Sequence, residues 1–242
     1  MKLTTIRTRG GTRAARAEGD GTLVELPYPD VGALLLDPQW PVAAGQRVHE
    51  AMFCDRAPLL TRPGKVVRVD LGRRSFHVTR PESLAGPRDA IVLPDESVAT
   101  TWKTEPAVVI GRLGTIAGFS ILNEVTVGWL SLGPALVTPD ELPGGLLPRL
   151  TLHSFVDGRP VQKTDTGDLD FVALVHRLSQ HLRLDPGDVV AAGHEKVPLL
   201  LSEGSVLETE IDEIGFHENV LKRVEWVSPS PGRCRGGRRC GD

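Results

Sequence analysis

The residues best able to do chemistry are a lysine and a glutamate in one strand-like stretch, and a histidine beside a glutamate further along the chain. Lys103 and Glu105 lie in the run WKTEPAVVIG, and His194 is followed directly by Glu195. Histidine changes protonation state near neutral pH, so His194 oriented by Glu195 or Glu105 could act as a general base. The alternative is an exposed loop histidine without a catalytic role.

Composition excludes several classes of function. The 242 residues are 24% charged with a net charge of −3, which is ordinary for a globular protein and gives no basic excess for nucleic acid or a membrane surface. No apolar run approaches the ~20 residues of a membrane span, and no signal peptide is evident. The 3 cysteines do not make a disulfide framework. We expect a cytoplasmic protein with a small-molecule substrate.

Turn residues divide the sequence into many short strands. The chain has 26 glycines and 19 prolines, and Pro-Gly dipeptides separate short apolar runs. Helical periodicity is good in one stretch, whose apolar stripe consists of Phe171, Leu174, Val175, Leu178 and Leu182. We therefore predict one substantial helix near residues 168–183, with Asp168 as its N-cap, lying over a sheet. Residues 31–36 could form a short helix or a strand.

Three blocks are expected along the chain. Residues 1–61 form a small N-terminal β domain without a catalytic role, and residues 62–227 form the main domain. Residues 228–242 are a basic tail rich in Gly, Pro and Ser, which we expect to be disordered. A metal or disulfide clip formed by Cys234 and Cys240 is the alternative for this tail.

Seven short strings, in the same order along the chain, resemble the fumarylacetoacetate hydrolase family. The run WKTEPAVVIG at residues 102–111 resembles the family's metal-binding strand. The other strings are residues 1–21, PGKVV (63–67), SLAGP (83–87), AGFSILNEVT (117–126), GPALVTPDEL (133–142) and LDPGDVV (184–190). The resemblance implies a mixed β-rich (α+β) fold, with rolled mixed β-sheets and few helices, and a homodimer.

The resemblance also implies a metal chemistry that this sequence has altered. In the family, Mg²⁺ or Mn²⁺ held by three carboxylates chelates a 1,3-dicarbonyl or 2-oxo acid and stabilises an enolate. Here the three positions read Lys103, Glu105 and Glu124. A lysine charge ~4 Å from a divalent ion opposes it by about 8 kcal/mol at an effective dielectric of about 20. We expect Glu105 and Glu124 to be vestigial ligands and the protein to need no cofactor, with Mg²⁺ or Mn²⁺ as the alternative.

Other site positions are kept or changed. Thr166 matches a family threonine that meets substrate, and residues 192–195 replace the family's Thr-Gly-Thr-Pro loop, keeping Gly193 and adding His194 and Glu195. The resemblance implies that these positions face the site. We therefore expect Lys103, His194 and Glu195 to be catalytic residues, and Thr166 and Gly193 to be substrate-binding residues. The family's lid, with its His–Glu pair, and the stretch that carries a catalytic lysine have no counterpart in the sequence.

Three functions compete at this point. The first is a metal-independent enzyme that acts through an enolate on a 1,3-dicarbonyl, 2-oxo acid or polyketide-like molecule, by C–C bond hydrolysis, isomerisation, decarboxylation or cyclisation. In it, the ammonium of Lys103 would supply the charge that the metal supplies in relatives. The second is a catalytically inactive dimeric scaffold or small-molecule binder. The third is a conventional metal-dependent hydrolase in which Lys103 is swung away from the site.

Overall fold

The computed structural model describes residues 1–46, 49–51, 55–93, 101–125, 128–167, 169–193, 197–198 and 201–223. These residues form sixteen strands and three α-helices. The helices are α1 (Val31–Leu36), α2 (Trp40–Gly45) and α3 (Phe171–Ser179). The strands are β1 (Lys2–Thr8), β2 (Gly11–Ala17), β3 (Leu23–Glu25), β4 (His49–Ala51), β5 (Val66–Asp70), β6 (Ser75–Thr79), β7 (Ile91–Leu93), β8 (Thr101–Ile110), β9 (Ile116–Val125), β10 (Trp129–Val137), β11 (Thr151–Val156), β12 (Arg159–Asp165), β13 (Val189–Gly193), β14 (Val197–Pro198), β15 (Val206–Ile211) and β16 (Gly215–Arg223).

Two mixed sheets make up the fold. The large sheet has the order β4-β3-β2-β1-β10-β9-β8-β13-β5-β6, with β14 paired to β8. The small sheet has the order β12-β11-β15-β16-β7. The pairs β13–β5 and β16–β7 are parallel and the other strand pairs are antiparallel. The predicted fold class, β-rich with mixed sheets and few helices, is confirmed.

Apolar residues cover both faces of the large sheet, because its central strands are buried on both sides. We call the face that carries Val66, Ala107 and Leu122 the front face, and the face that carries Val67, Val108 and Ile121 the back face. Helices α1 and α2 pack on the front face through residues such as Leu34 and Ala44. Helix α3 and the small sheet pack on the back face, where the rings of Phe119 and Phe171 meet edge to face at 5.8 Å.

Helix α3 is shorter than the periodicity predicted. It spans Phe171–Ser179, and its N-cap is Asp170, whose side chain accepts a hydrogen bond from the backbone N of Ala173 at 2.8 Å. Asp168, which the sequence favoured as the cap, lies outside the described residues. The segment at residues 31–36 is a helix rather than a strand, and Asp30 caps it.

The N-terminal strands belong to the large sheet. Strand β1 pairs with β10 through Lys2 opposite Val137 and Leu3 opposite Leu136. The domain boundary at residue 61 stays a prediction. The predicted disorder of the tail also stays a prediction, because residues 224–242, which include Cys234 and Cys240, lie outside the described part of the chain. Cys54 lies outside it too. Among the residues described, no helix has both the length and the apolar character needed to cross a bilayer.

Candidate active site

The pairing of β8 with β9 brings three predicted site residues together. Lys103 lies directly opposite Glu124, and Glu105 lies opposite Leu122. Residues directly opposite in an antiparallel pair share a face of the sheet, and residues two apart on one strand share it too. Lys103, Glu105 and Glu124 therefore all lie on the front face, at the end of β8 that is nearest its first residue.

Strand β5 adds a fourth charge that the sequence analysis missed. The guanidinium of Arg68 pairs with the carboxylate of Glu124. Strands β13 and β8 lie between β5 and β9, and the residue of β13 in register with Arg68 is Ala191. This small side chain leaves room for Arg68 to extend over the front face. We call Arg68, Lys103, Glu105 and Glu124 the charged quartet.

The charged quartet consists of two ion pairs that are largely removed from water. Lys103 Nζ lies 2.6 Å from Glu105 Oε1, and their side chains are 13% and 2% exposed. The side chains of Arg68 and Glu124 are 17% and 11% exposed. Buried charges are tolerated when each has a partner of opposite sign. The two positive and two negative groups therefore balance one another.

Burial changes the acid–base behaviour of Glu105. Removal from water raises the pKa of its carboxyl, and the charge of Glu124 adds to the rise. The charge and hydrogen bond of Lys103 oppose the rise, as does the charge of Arg68. The net direction is upward, so Glu105 is a stronger base than a solvent-exposed glutamate. The other three members of the quartet therefore all influence the pKa of Glu105.

Gly193 provides the space that Glu105 occupies. A Cβ atom on Gly193 would lie 2.6 Å from Glu105 Oε1 and 3.0 Å from Glu105 Cγ, closer than van der Waals contact allows. Gly193 is the last residue of β13 and is in register with Asp70 on β5. Gly193 therefore lies beside the carboxylate of Glu105, and its contact with substrate stays a prediction.

The other predicted site residues are not part of the charged quartet. The hydroxyl of Thr166 accepts a hydrogen bond from the backbone N of Leu150 at 2.8 Å and donates to the carbonyl of Pro148 at 3.4 Å. The Leu150 side chain belongs to the core on the back face, opposite the quartet. His194 and Glu195 lie outside the described residues. The substrate role of Thr166 and the catalytic roles of His194 and Glu195 stay predictions.

A second polar cluster lies on the back of the same strands. His217 is fully buried, and its Nδ1 lies 3.2 Å from Asn123 Nδ2. Asn123 Oδ1 accepts a hydrogen bond from Thr209 Oγ1 at 3.2 Å, which turns the amide NH₂ toward the ring. Nδ1 of His217 is therefore the acceptor, and the imidazole is neutral. Burial lowers its pKa to about 4, which agrees with a neutral imidazole in the core.

The described residues do not fit a divalent metal ion. Mg²⁺ and Mn²⁺ need several carboxylate or other oxygen ligands free to turn toward the ion. In the quartet, Glu105 faces an ammonium and Glu124 faces a guanidinium. Within the described ranges, no group of three or more His, Cys, Asp or Glu residues is arranged to hold a metal. The donor set therefore favours ion pairs over coordination.

Comparison with known proteins places the chain in a family. The sequence model of the fumarylacetoacetate (FAA) hydrolase C-terminal domain matches residues 119–222, which include Glu124 but not the other three members of the quartet. The mitochondrial oxaloacetate tautomerase Fahd2a of Rattus norvegicus is 30% identical over 207 residues, covering 64% of this chain and 66% of that protein. The 2,4-didehydro-3-deoxy-L-rhamnonate hydrolase of Sphingomonas sp. (strain SKA58) is 30% identical over 182 residues, covering 60% of this chain and 62% of that protein.

Solved structures share the fold. A fumarylacetoacetate hydrolase from psychrophilic Exiguobacterium antarcticum superposes with a TM-score of 0.73 at 21% identity, covering 93% of this chain and 100% of that one. A maleylpyruvate hydrolase from Sphingobium sp. SYK-6, in complex with manganese(II) ion and pyruvate, gives a TM-score of 0.74 at 19% identity with the same coverage. The chain belongs to the fumarylacetoacetate hydrolase family, as its strings of residues predicted.

Proposed function

We propose that this protein is an enzyme that interconverts the keto and enol forms of a small 2-oxo acid or 1,3-dicarbonyl compound without a metal ion. Its relatives include a tautomerase and a hydrolase of small organic acids, which supports enzymatic activity in general. The observation that carries the finer proposal is the ammonium of Lys103, held 2.6 Å from Glu105 in a largely buried site. A buried ammonium stabilises negative charge that develops on a nearby oxygen.

The reaction follows from the Lys103–Glu105 pair. Glu105, whose pKa is raised by burial, takes the proton from the carbon next to the carbonyl. The C–H electron pair forms the carbon–carbon double bond, and the carbonyl electrons move to oxygen, where Lys103 stabilises the enolate. Lys103 gives a proton to that oxygen, and the proton on Glu105 passes to Lys103 across their contact. Both groups regain their starting states, and the substrate has become its enol.

A catalytically inactive scaffold or binder is the second candidate. It is favoured by the balance of the quartet, in which each carboxylate already has a cation of its own. It is also favoured by the absence from the sequence of the family's lid string and its His–Glu pair. A substrate would then have to compete with two existing ion pairs. The two candidates differ in whether Lys103 has a role beyond neutralising Glu105.

The test is enol–keto conversion of oxaloacetate, followed by the ultraviolet absorbance of the enol in the presence of EDTA. Deuterium exchange into acetylpyruvate and pyruvate, followed by NMR, extends the test to other members of the class. We expect acceleration over buffer that EDTA does not change, and a loss of ~10²-fold or more in Lys103→Met. The matched control is Lys163→Met, because Lys163 is exposed on β12 in the small sheet.

Each other outcome contradicts the proposal in a different way. Rates equal to buffer for all three compounds, with a folded protein, would favour the scaffold. A rate that EDTA abolishes and Mn²⁺ restores would favour the conventional metal-dependent hydrolase. Equal rates in the unchanged protein and in Lys103→Met would show that another group stabilises the enolate.

A further inference from the structure

We infer that Arg68 and Lys103 act together as a built-in replacement for the divalent ion, so that both must be removed before a metal can bind. The pairing of Arg68 with Glu124 and of Lys103 with Glu105 is the observation that carries this inference. It rests on the metal-free site proposed above, but not on the proposed reaction, because metal binding is measured without a substrate.

The charges of the quartet explain why a metal is excluded. Two carboxylates carry two negative charges, and the ammonium and guanidinium carry two positive charges, so the set is neutral. A divalent ion placed among these groups would find two like charges within a few ångströms and no net attraction. Arg68 on β5 and Lys103 on β8 are separated in the sheet by β13, and the side chains of Lys103 and Arg68 are only 13% and 17% exposed. Neither can move away without leaving its carboxylate.

The register of the sheet explains why one substitution is not enough. Lys103 lies directly opposite Glu124, so the change Lys103→Glu would place three carboxylates close together, as in the family pattern. Arg68 would still hold Glu124, however, and would occupy the third ligand. The change Arg68→Ala by itself would free Glu124 but leave Lys103 on Glu105. Each cation alone therefore blocks one of the ligands that a metal needs.

Arg68 is well placed for this role because nothing else on its own strand neutralises it at the site. Asp70, two residues later on β5, accepts a hydrogen bond from the backbone N of Arg73 at 2.9 Å. That bond is the main reason that the pKa of Asp70 is lowered, with a smaller contribution from the charge of Lys103. Asp70 thus lies at the edge of the quartet and would add negative charge once both cations are removed.

The experiment compares four proteins: the unchanged chain, Arg68→Ala, Lys103→Glu, and the double variant. Isothermal calorimetry measures Mn²⁺ binding, and melting temperature is recorded with and without Mn²⁺. We expect the double variant to bind Mn²⁺ at least ~100-fold more tightly than the unchanged chain, and each single variant to gain less than ~10-fold. A ligand that binds only the folded state raises the melting temperature, so the double variant should show the largest upward shift.

The matched control is a second double variant, in which Lys103→Glu is combined with Arg183→Ala and Arg68 is left unchanged. Arg183 is 88% exposed and pairs with Asp185 at 2.6 Å, so this variant also loses an arginine ion pair, but at an exposed position away from the site. Arg68→Met with Lys103→Glu keeps more of the side-chain volume and serves if the alanine variant does not fold. The inference is overturned if Lys103→Glu alone binds as tightly as the double variant, or if no double variant gains affinity. Micromolar binding by the unchanged chain would overturn this inference, whereas the metal-free reaction is decided separately by its sensitivity to EDTA.

Discussion

At the scale of single residues, each carboxylate of the charged quartet is compensated by a cation. A buried carboxylate that has no metal needs another positive partner, because an unpaired buried charge is costly. Glu105 has Lys103 as that partner, and Glu124 has Arg68. The sequence comparison with the family showed the first replacement, and the structure added the second. Lys103 and Arg68 are therefore best understood together, as the two cations that neutralise one pair of buried carboxylates.

His217 gives a prediction about pH. Its pKa falls from 6.5 to about 4, mainly through burial, with a smaller effect of Arg56, while the backbone of Gly133 opposes the shift. The unfolded chain therefore binds a proton at higher pH than the folded chain does. The stability that depends on a neutral His217 is complete above pH 6.5 and is lost progressively as the pH falls toward 4. The expected loss from this one group is about 3 kcal/mol.

Urea unfolding at several pH values between 4 and 7 measures this effect. The variant His217→Gln keeps a neutral polar group and should lose less stability over that range than the unchanged protein. His176→Gln is the matched control, because His176 is exposed on α3, and its pH profile should follow the unchanged protein. Identical slopes for the unchanged protein and His217→Gln would show that another group controls the acid sensitivity.

At the scale of elements, one aspartate joins the start of β5 to the turn before β13. Asp188 is 2% exposed, and it accepts hydrogen bonds from the backbone N of Lys65 at 2.8 Å and of Asp185 at 2.6 Å. It also pairs with the ammonium of Lys65. These bonds hold β5 and β13 in the parallel register that places Ala191 beside Arg68. The order of the charged quartet therefore depends on a contact at the opposite end of these strands.

The change Asp188→Ala should lower the free energy of unfolding by ~3–5 kcal/mol, because it leaves the charge of Lys65 without its buried partner. The matched control is Asp185→Ala. Asp185 lies 3.7 Å from Lys65 Nζ, and its side chain is 44% exposed. Pairs of that kind contribute ~1 kcal/mol or less. Chemical denaturation measures the free energy of unfolding of both variants. Equal losses would show that the buried pair stabilises the fold no more than the exposed one does.

At the scale of the whole molecule, the front core is shared between the N-terminal block and the central strands of the large sheet. Leu3 and Leu34 from the N-terminal block belong to the same buried cluster as Val109 and Leu132. Strand β1 also pairs directly with β10. An element that shares its core and its hydrogen bonds with the rest of a protein cannot unfold by itself without breaking those contacts, which costs free energy. The homodimer that the family resemblance implies stays a prediction.

We therefore expect residues 1–61 to unfold together with the rest of the chain. Pulse-labelling hydrogen exchange across a urea series, at one fixed protein concentration, measures this on peptides from β1–β2 and from β8–β9. The two sets of peptides should lose protection at the same urea concentration. Loss of protection in β1–β2 at a clearly lower concentration would instead support an independently folding N-terminal domain.

The sequence by itself determined the class of fold and the location of its one long helical stripe. Alternating apolar residues and Pro-Gly turns are local signals, because the periods of strands and helices can be recognised from residues close together in the sequence. The apolar stripe that includes Phe171, Val175 and Leu178 was therefore found, although the cap and the ends of α3 were shifted by a few residues. The ordered strings of residues were enough to predict the family.

Only the tertiary structure decided which charges meet. Arg68 and Glu124 are 56 positions apart in the chain, with two strands between theirs in the sheet. The sequence offered one weak signal, an arginine between Val67 and Val69 in a strand that reads as buried on both faces. It could not name the partner, because the partner of a side chain on a sheet is set by strand order and register. Strand order and register depend on the packing of the whole chain, and here they bring two cations and two carboxylates together as a balanced set of four charges.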